Sequence, residues 1–162
     1  MAFNQQDTEC MALALKLSKL GRGSVGANPM VGCVITRDDN IIAQDYHRQY
    51  GESHAEVNAL DQINHKAHDC NVYVTLEPCS HQGKTPPCVK ALINANVSKV
   101  FVATLDSNPE VSGSGVRLLR DSGIEVEVGL LENAALEVNR GFFKRMKTGL
   151  PFVTSKIAMS LD

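Results

Sequence analysis

Two apolar, β-branched runs, "MVGCVIT" and "IIAQDYH", flank the turn Arg37-Asp38-Asp39-Asn40, and helix-like and strand-like segments then alternate to the end of the chain. This order is the strongest constraint on the fold. A hairpin followed by β-α repeats gives a mixed sheet with helices on both faces. Upstream, Cys10, Leu13, Ala14, Leu17 and Leu20 recur at helical spacing and predict a helix from about Asn4 to Leu20. "GRGSVGANP" is a loop: its glycines follow a helix and precede a strand, the reverse of a dinucleotide fingerprint, and they lack a P-loop Lys-Ser/Thr. After the hairpin come a helix opening at "HAEVNAL", the strand "NVYVTLEPC", and a helix from about Pro86 to Ala95. The strand "KVFVATL" follows, then a loop and short helix in "SGSGVRLLRDSG". The helix between the fourth and fifth strands makes those two parallel. "IEVEV" alternates as an edge strand would, and Leu131 to Lys147 reads as one closing helix.

A chain of 162 residues suits one domain with its own core, and 43% apolar with 21% charged residues is ordinary for a globular protein. A net charge of −2 provides no basic stripe for coating a long nucleic acid, but it does not exclude a small anionic substrate. No apolar run reaches a membrane span, and the N-terminus lacks a signal-peptide profile, so the expectation is a cytoplasmic protein with neither membrane nor nucleic acid as partner. Homo-oligomerisation stays open. Five cysteines in a reducing compartment point to metal binding or burial before disulfides. Cys10, Cys33 and Cys70 read as packing residues.

The first candidate for chemistry is His54, two places ahead of Glu56 at a helix start. A bland reading exists, because Ser53-His54-Ala55-Glu56 has the form of a capping box. "EPCSHQGKTPPC" then places Cys79 directly after a strand and Cys88 in the first turn of the next helix, behind Thr85-Pro86-Pro87. A helix N-terminus stabilises a thiolate. Two helix starts converging at one sheet edge would offer one nitrogen and two sulfurs to a single cation. That set suits one Zn²⁺, and three protein ligands leave a fourth position for a water whose pKa falls from 15.7 towards ~7. Glu56 need not ligate, and can carry a proton from that water to a departing amine.

H-x-E…P-C-x-x-C is the signature of the zinc nucleobase deaminases, and the chain matches it at His54-Ala55-Glu56 and Pro78-Cys79. It then departs: eight residues, not two, separate Cys79 from Cys88. With that spacing "EPCSHQGKTPPC" closely resembles the riboflavin-pathway pyrimidine deaminases, as do "ANPMVGCVI", "HRQYGESHAE" and "DSNPEVSGSG". The resemblance runs through nearly the whole chain. It implies a cytidine-deaminase-like fold, a three-layer α/β/α sandwich around a five-stranded mixed sheet. The implied reaction is removal of the 2-amino group of 2,5-diamino-6-ribosylamino-4(3H)-pyrimidinone 5′-phosphate, a small phosphoribosyl-pyrimidine. It implies His54, Cys79 and Cys88 as zinc ligands, Glu56 as proton shuttle, and substrate contacts at Asn28, His47, Lys84 and Asn108. Among these, Lys84 with its loop is the expected partner of the 5′-phosphate, and Asn28 of the base or ribose. The tail "PFVTSKIAMSLD" resembles the first strand of the NADPH-dependent reductase fused behind the deaminase in bifunctional members. Residues 1–148 are therefore expected to form the deaminase domain and 149–162 a linker and the start of a truncated reductase, with NADPH belonging only to that missing part.

Plainer readings stand beside these. Asn28 and Asn108 each precede a proline and suit turns; Lys84 suits a solvated loop, His47 a strand end, and His81 a loop hydrogen bond. A zinc deaminase acting on tRNA or a free base would share His54 and Glu56, but with the short C-x-x-C spacing and, for tRNA, a more basic surface. A non-enzymatic zinc domain would need a fourth protein ligand, for which His81 is the candidate.

Overall fold

The computed structural model describes residues 3–83, 85–107 and 112–160. Helix α1 (Gln5–Ser18) begins at Asn4, whose side chain accepts from the Asp7 amide while the Asp7 carboxylate takes the Asn4 amide. This reciprocal cap satisfies two otherwise orphaned donors. A 3₁₀ turn, Lys19–Gly21, closes the helix. The hairpin is β1 (Gly32–Arg37) and β2 (Asn40–Tyr46). Its turn residues Asp38 and Asp39 sit at φ 47° and 65°, the left-handed pair whose twist matches the flanking strands. There follow α2 (Ala55–Gln62), β3 (Asn71–Val74), α3 (Cys88–Asn94), β4 (Lys99–Val102), α4 (Ser114–Asp121) and β5 (Glu125–Val128).

The five strands lie in the order β2-β1-β3-β4-β5. β1 is antiparallel to both β2 and β3, whereas β3, β4 and β5 run parallel, as β-α repeats require. Strand side chains alternate between two separate cores. Cys33, Ile35, Val72, Val74, Val100 and Val102 pack with Leu60, Leu92 and Leu119, placing α2, α3 and α4 on one face. Val34, Tyr73 and Phe101 pack with Met11, Ala14 and Ala135, placing α1 and the later helix α5 (Glu132–Val138) on the other. The three-layer α/β/α sandwich expected from the sequence is what forms. Gly32 lets α1 approach the sheet, because a side chain there would run into the Ala14 carbonyl. Cys10, Cys33 and Cys70 are buried in these cores. No helix among the described residues is long and apolar enough to cross a membrane.

Two sequence expectations fail. The capping box at α2 does not form: the N-cap is His54, not Ser53, and no side chain caps the helix. The register shifts by one because the His54 ring turns towards Cys79 and Cys88, while the Ser53 carbonyl accepts from the His47 ring and the Asn58 amide. The closing helix is two helices, α5 (Glu132–Val138) and α6 (Arg140–Thr148). The break is at Asn139 (φ −108°, ψ 23°), whose amide bonds the backbone of Met30 instead of facing solvent. An Asn side chain that finds a backbone partner competes with the helix, and periodicity alone does not reveal that. Residues 150–160 carry no regular secondary structure and are exposed.

Candidate active site

The parallel strands end at one edge of the sheet, and the helix starts of α2 and α3 meet there. His54 enters as the N-cap of α2, Cys79 from the turn after β3, and Cys88 as the first residue of α3. Their donor atoms all lie within 4.8 Å of one another. His54 Nδ1 is 3.2 Å from Cys88 Sγ and 3.6 Å from Cys79 Sγ. The loop between the cysteines is closed by backbone: the Cys88 amide donates to Cys79 Sγ at 3.3 Å and the Val89 amide to the Cys79 carbonyl at 3.2 Å. Amides aimed at a sulfur favour the thiolate.

The electrostatics suit a cation. Hydrogen bonding with the Cys88 thiol, and secondarily with His54, draws the Cys79 thiol well below its ordinary range. The same contact with Cys79, reinforced by burial, pushes Cys88 up, so the pair shares one proton. Hydrogen bonding to Cys79 raises the His54 imidazole. One imidazole and two thiols, one drawn towards the thiolate, could hold a metal ion and are donors of the kind that Zn²⁺ favours. The donor atoms that converge among the described residues are those of His54, Cys79 and Cys88; His81 lines the cleft but is not among them. Beside them Glu56 is 3% exposed. Burial lifts its carboxyl to about 7, against the opposing pull of His54.

A cleft of about 340 Å³ opens over this cluster. Asn28 and His47, the substrate contacts implied by the resemblance, both line it. His47 follows β2 and is 2% exposed; its Nδ1 lies 3.2 Å from the Ser53 carbonyl. A carbonyl only accepts, so Nδ1 carries the proton and Nε2 is left as an acceptor. That buried Nε2 has no hydrogen-bond partner among the described residues. Burial lowers the His47 pKa, in the direction that favours the neutral ring. Lys84 and Asn108 lie outside the described residues, although Gly83, Thr85 and Asp106 beside them line the cleft.

Several cleft residues were not singled out in the sequence, Phe142, Met146 and Glu77 among them. Phe142 and Met146 reach it from α6, and Glu77 from the end of β3. The Glu77 carboxylate accepts from four backbone amides, those of Asp106, Gly113, Gly115 and Val116, at 2.9 to 3.3 Å. It thereby caps α4 from outside and ties the segment beyond β4 to the residue two before Cys79. Gly115 makes this approach possible, since a Cβ there would run into the Pro78 carbonyl. This accounts for the "SGSG" stretch. The usable signal for Phe142 and Met146 was their i, i+4 spacing within the Leu131 to Lys147 stretch.

The chain matches the family model described as the cytidine and deoxycytidylate deaminase zinc-binding region over residues 4–104. It is 49% identical over 146 residues to a diaminohydroxyphosphoribosylamino-pyrimidine deaminase of Buchnera aphidicola from Schizaphis graminum, covering 90% of this chain and 99% of that one. It is 49% identical over 157 residues to the riboflavin biosynthesis protein RibD of Escherichia coli, covering 97% of this chain but 43% of that protein. Acinetobacter baumannii RibD superposes with a TM-score of 0.88 at 48% identity, over 91% of this chain and 42% of that one. The chain thus spans less than half of each RibD relative and nearly all of the Buchnera deaminase. Fold, ligand cluster and identity agree, and the chain belongs to the zinc-binding cytidine and deoxycytidylate deaminase family, in the diaminohydroxyphosphoribosylamino-pyrimidine deaminase branch.

Proposed function

We propose that the chain hydrolytically deaminates 2,5-diamino-6-ribosylamino-4(3H)-pyrimidinone 5′-phosphate to the corresponding pyrimidinedione in riboflavin biosynthesis. The observation that carries this is the 49% identity to a deaminase that the chain matches over 99% of its length. The converging His54, Cys79 and Cys88 donors with Glu56 buried beside them support it. His54, Cys79 and Cys88 would hold one Zn²⁺, which when bound supplies Lewis acidity to a water at its open position. Glu56 takes a proton from the attacking water and delivers it to the departing amine. Water and the amino-bearing ring carbon become a carbonyl and ammonia. A buried carboxyl beside the cluster is placed to accept a proton and release it again.

The resemblance and the cleft lining at Asn28, His47, Gly83 and Thr85 support the following substrate contacts. His47 Nε2 accepts from a donor on the base or ribose, and the Asn28 amide bonds the base or ribose. Lys84, with Gly83 and Thr85, takes the 5′-phosphate, and Asn108 completes the set. Residues 1–148 carry this activity, and 149–162 lead towards the reductase part to which any NADPH use belongs. The test is ammonia release from the phosphoribosyl-pyrimidine beside cytidine, guanine and tRNA, with zinc measured on the same sample. Release from another of these substrates, and none from the pyrimidine, would overturn the reading.

A further inference from the structure

Helix α6 has no fully buried residue, yet Phe142, Phe143 and Met146 are half-buried on it. Phe142 and Met146, one turn apart, line the cleft that holds His54 and Glu56. An apolar helical stripe normally seals a core; this one faces the cavity. Asn139, 4% exposed, sets its direction. The Asn139 amide closes a two-bond ring with one residue 109 positions away: the Met30 amide donates to Oδ1 at 2.8 Å, and Nδ2 donates to the Met30 carbonyl at 2.8 Å. Arg145 adds a second strap, donating to the Ala27 carbonyl at 2.8 Å. The two straps bracket Asn28 and Pro29, which line the same cleft as Phe142 and Met146.

We propose that Asn139 is a positioning residue that locks α6 to the Ala27–Met30 segment as one wall of the cleft, and that Phe142 and Met146 on this wall select for a flat heteroaromatic ring by covering its face. The second half rests on the deaminase reading; the first does not. Aromatic and thioether side chains both pack well against π-faces. The wall shares no element with the metal donors, which hang from α2, α3 and the end of β3. Loosening it changes how the ring is held and leaves the metal cluster in place.

The zinc-loaded chain and its Asn139→Ala, Phe142→Ala and Phe142→Tyr variants are compared by hydrogen exchange, zinc content and steady-state ammonia release. Asn139→Ala is expected to speed exchange in residues 140–148 and 27–31 together. Phe142→Ala raises KM about tenfold or more, the scale of losing one base–aromatic stack. Its kcat stays within about threefold and its zinc content at the wild-type level, the signature of lost ring binding. Phe142→Tyr restores most of the affinity. Exchange rising in only one segment, or in neither, overturns the lock. Should Asn139→Ala fail to fold, Asn139→Asp, which keeps the acceptor and loses the donor, gives the same readout. An unchanged KM in Phe142→Ala, with a wild type that turns over, overturns the ring contact. A wild type inert on the pyrimidine sinks the deaminase reading and the ring contact with it, while the exchange result still decides the lock.

Discussion

The two ends of the cleft are built differently. At the metal end, His54, Cys79 and Cys88 hang from helix starts and a strand end that the sheet fixes, and backbone amides of Cys88 and Val89 close on Cys79. At the outer end, the lining comes from the loop after β2, the stretch between the cysteines, and α6, which meets the Gly-rich loop through two side-chain straps. On the proposed function, chemistry that must not move lies on the sheet edge, and recognition on segments that can vary without disturbing it. If the difference is real, changes at the metal end should abolish metal or turnover, and changes at the outer end should alter substrate binding.

The largest expected effect is loss of the ion. The intact chain should carry about one zinc, and Cys79→Ser with Cys88→Ser should carry almost none, since one imidazole alone is a poor site. Full occupancy in the double variant, measured by metal analysis, would remove the cluster from the chemistry altogether. Glu56→Gln comes next. It should retain zinc and fold while turnover falls by about 10²–10⁴, because the amide cannot accept a proton. Near-wild-type ammonia release would leave Glu56 as a buried structural carboxyl.

The same division explains what could be read in the sequence. His54, Glu56, Cys79 and Cys88 sit in two short motifs, and each motif is one local piece of backbone, a helix start or a strand-to-helix loop. The sheet order followed from one hairpin and alternating runs. The outer wall was not legible, because Asn139 works through Met30 and Arg145 through Ala27, across more than a hundred residues. Nothing in the local pattern of Leu131 to Lys147 reports a partner that far away. The failed capping box has a related cause: Ser53 and Glu56 fit the local rule, but distant thiols turned His54 and shifted the helix start by one.

Glu77 joins the two ends and tests how independent they are. Glu77→Gln removes the charge and turns an amide N–H₂ towards amides that donated to a carboxylate. Charge-assisted hydrogen bonds of this kind contribute about 1.5–3 kcal/mol each, so a loss of about 3 kcal/mol is expected in urea melts. KM should rise as the segment beyond β4 loosens. Unchanged stability and KM would mean that this segment is held by something other than Glu77.

A smaller effect belongs to the loop between the cysteines. Lys84→Ala should raise KM for the phosphorylated substrate by the equivalent of about 1.5–3 kcal/mol, one charge-assisted contact. The dephosphorylated nucleoside has no anion to lose and should respond much less. Equal losses on both would move Lys84 from the phosphate to the ring or ribose.

The smallest effect lies behind the metal end. Asp45, on β2, is 4% exposed; it accepts from Arg48 at 3.0 and 2.6 Å, from the Tyr46 amide, and from Gln62 at the end of α2. Burial pushes its carboxyl up, but these hydrogen bonds together outweigh it, and the net shift is downward. A carboxyl whose folded pKa is depressed stabilises the fold above its unfolded value, roughly 3.9 for Asp, and loses that contribution as pH falls through the lower folded value. Asp45→Asn should therefore be less stable than wild type at neutral pH, and the gap should close in acid as wild-type Asp45 takes up its proton. The gap is read from parallel thermal melts at several pH values. A gap that stays constant with pH would assign the role of Asp45 to its shape and hydrogen-bond count. A gap that widens in acid would reverse the sign of its shift, and β2 would then be held to α2 by contacts other than this carboxylate.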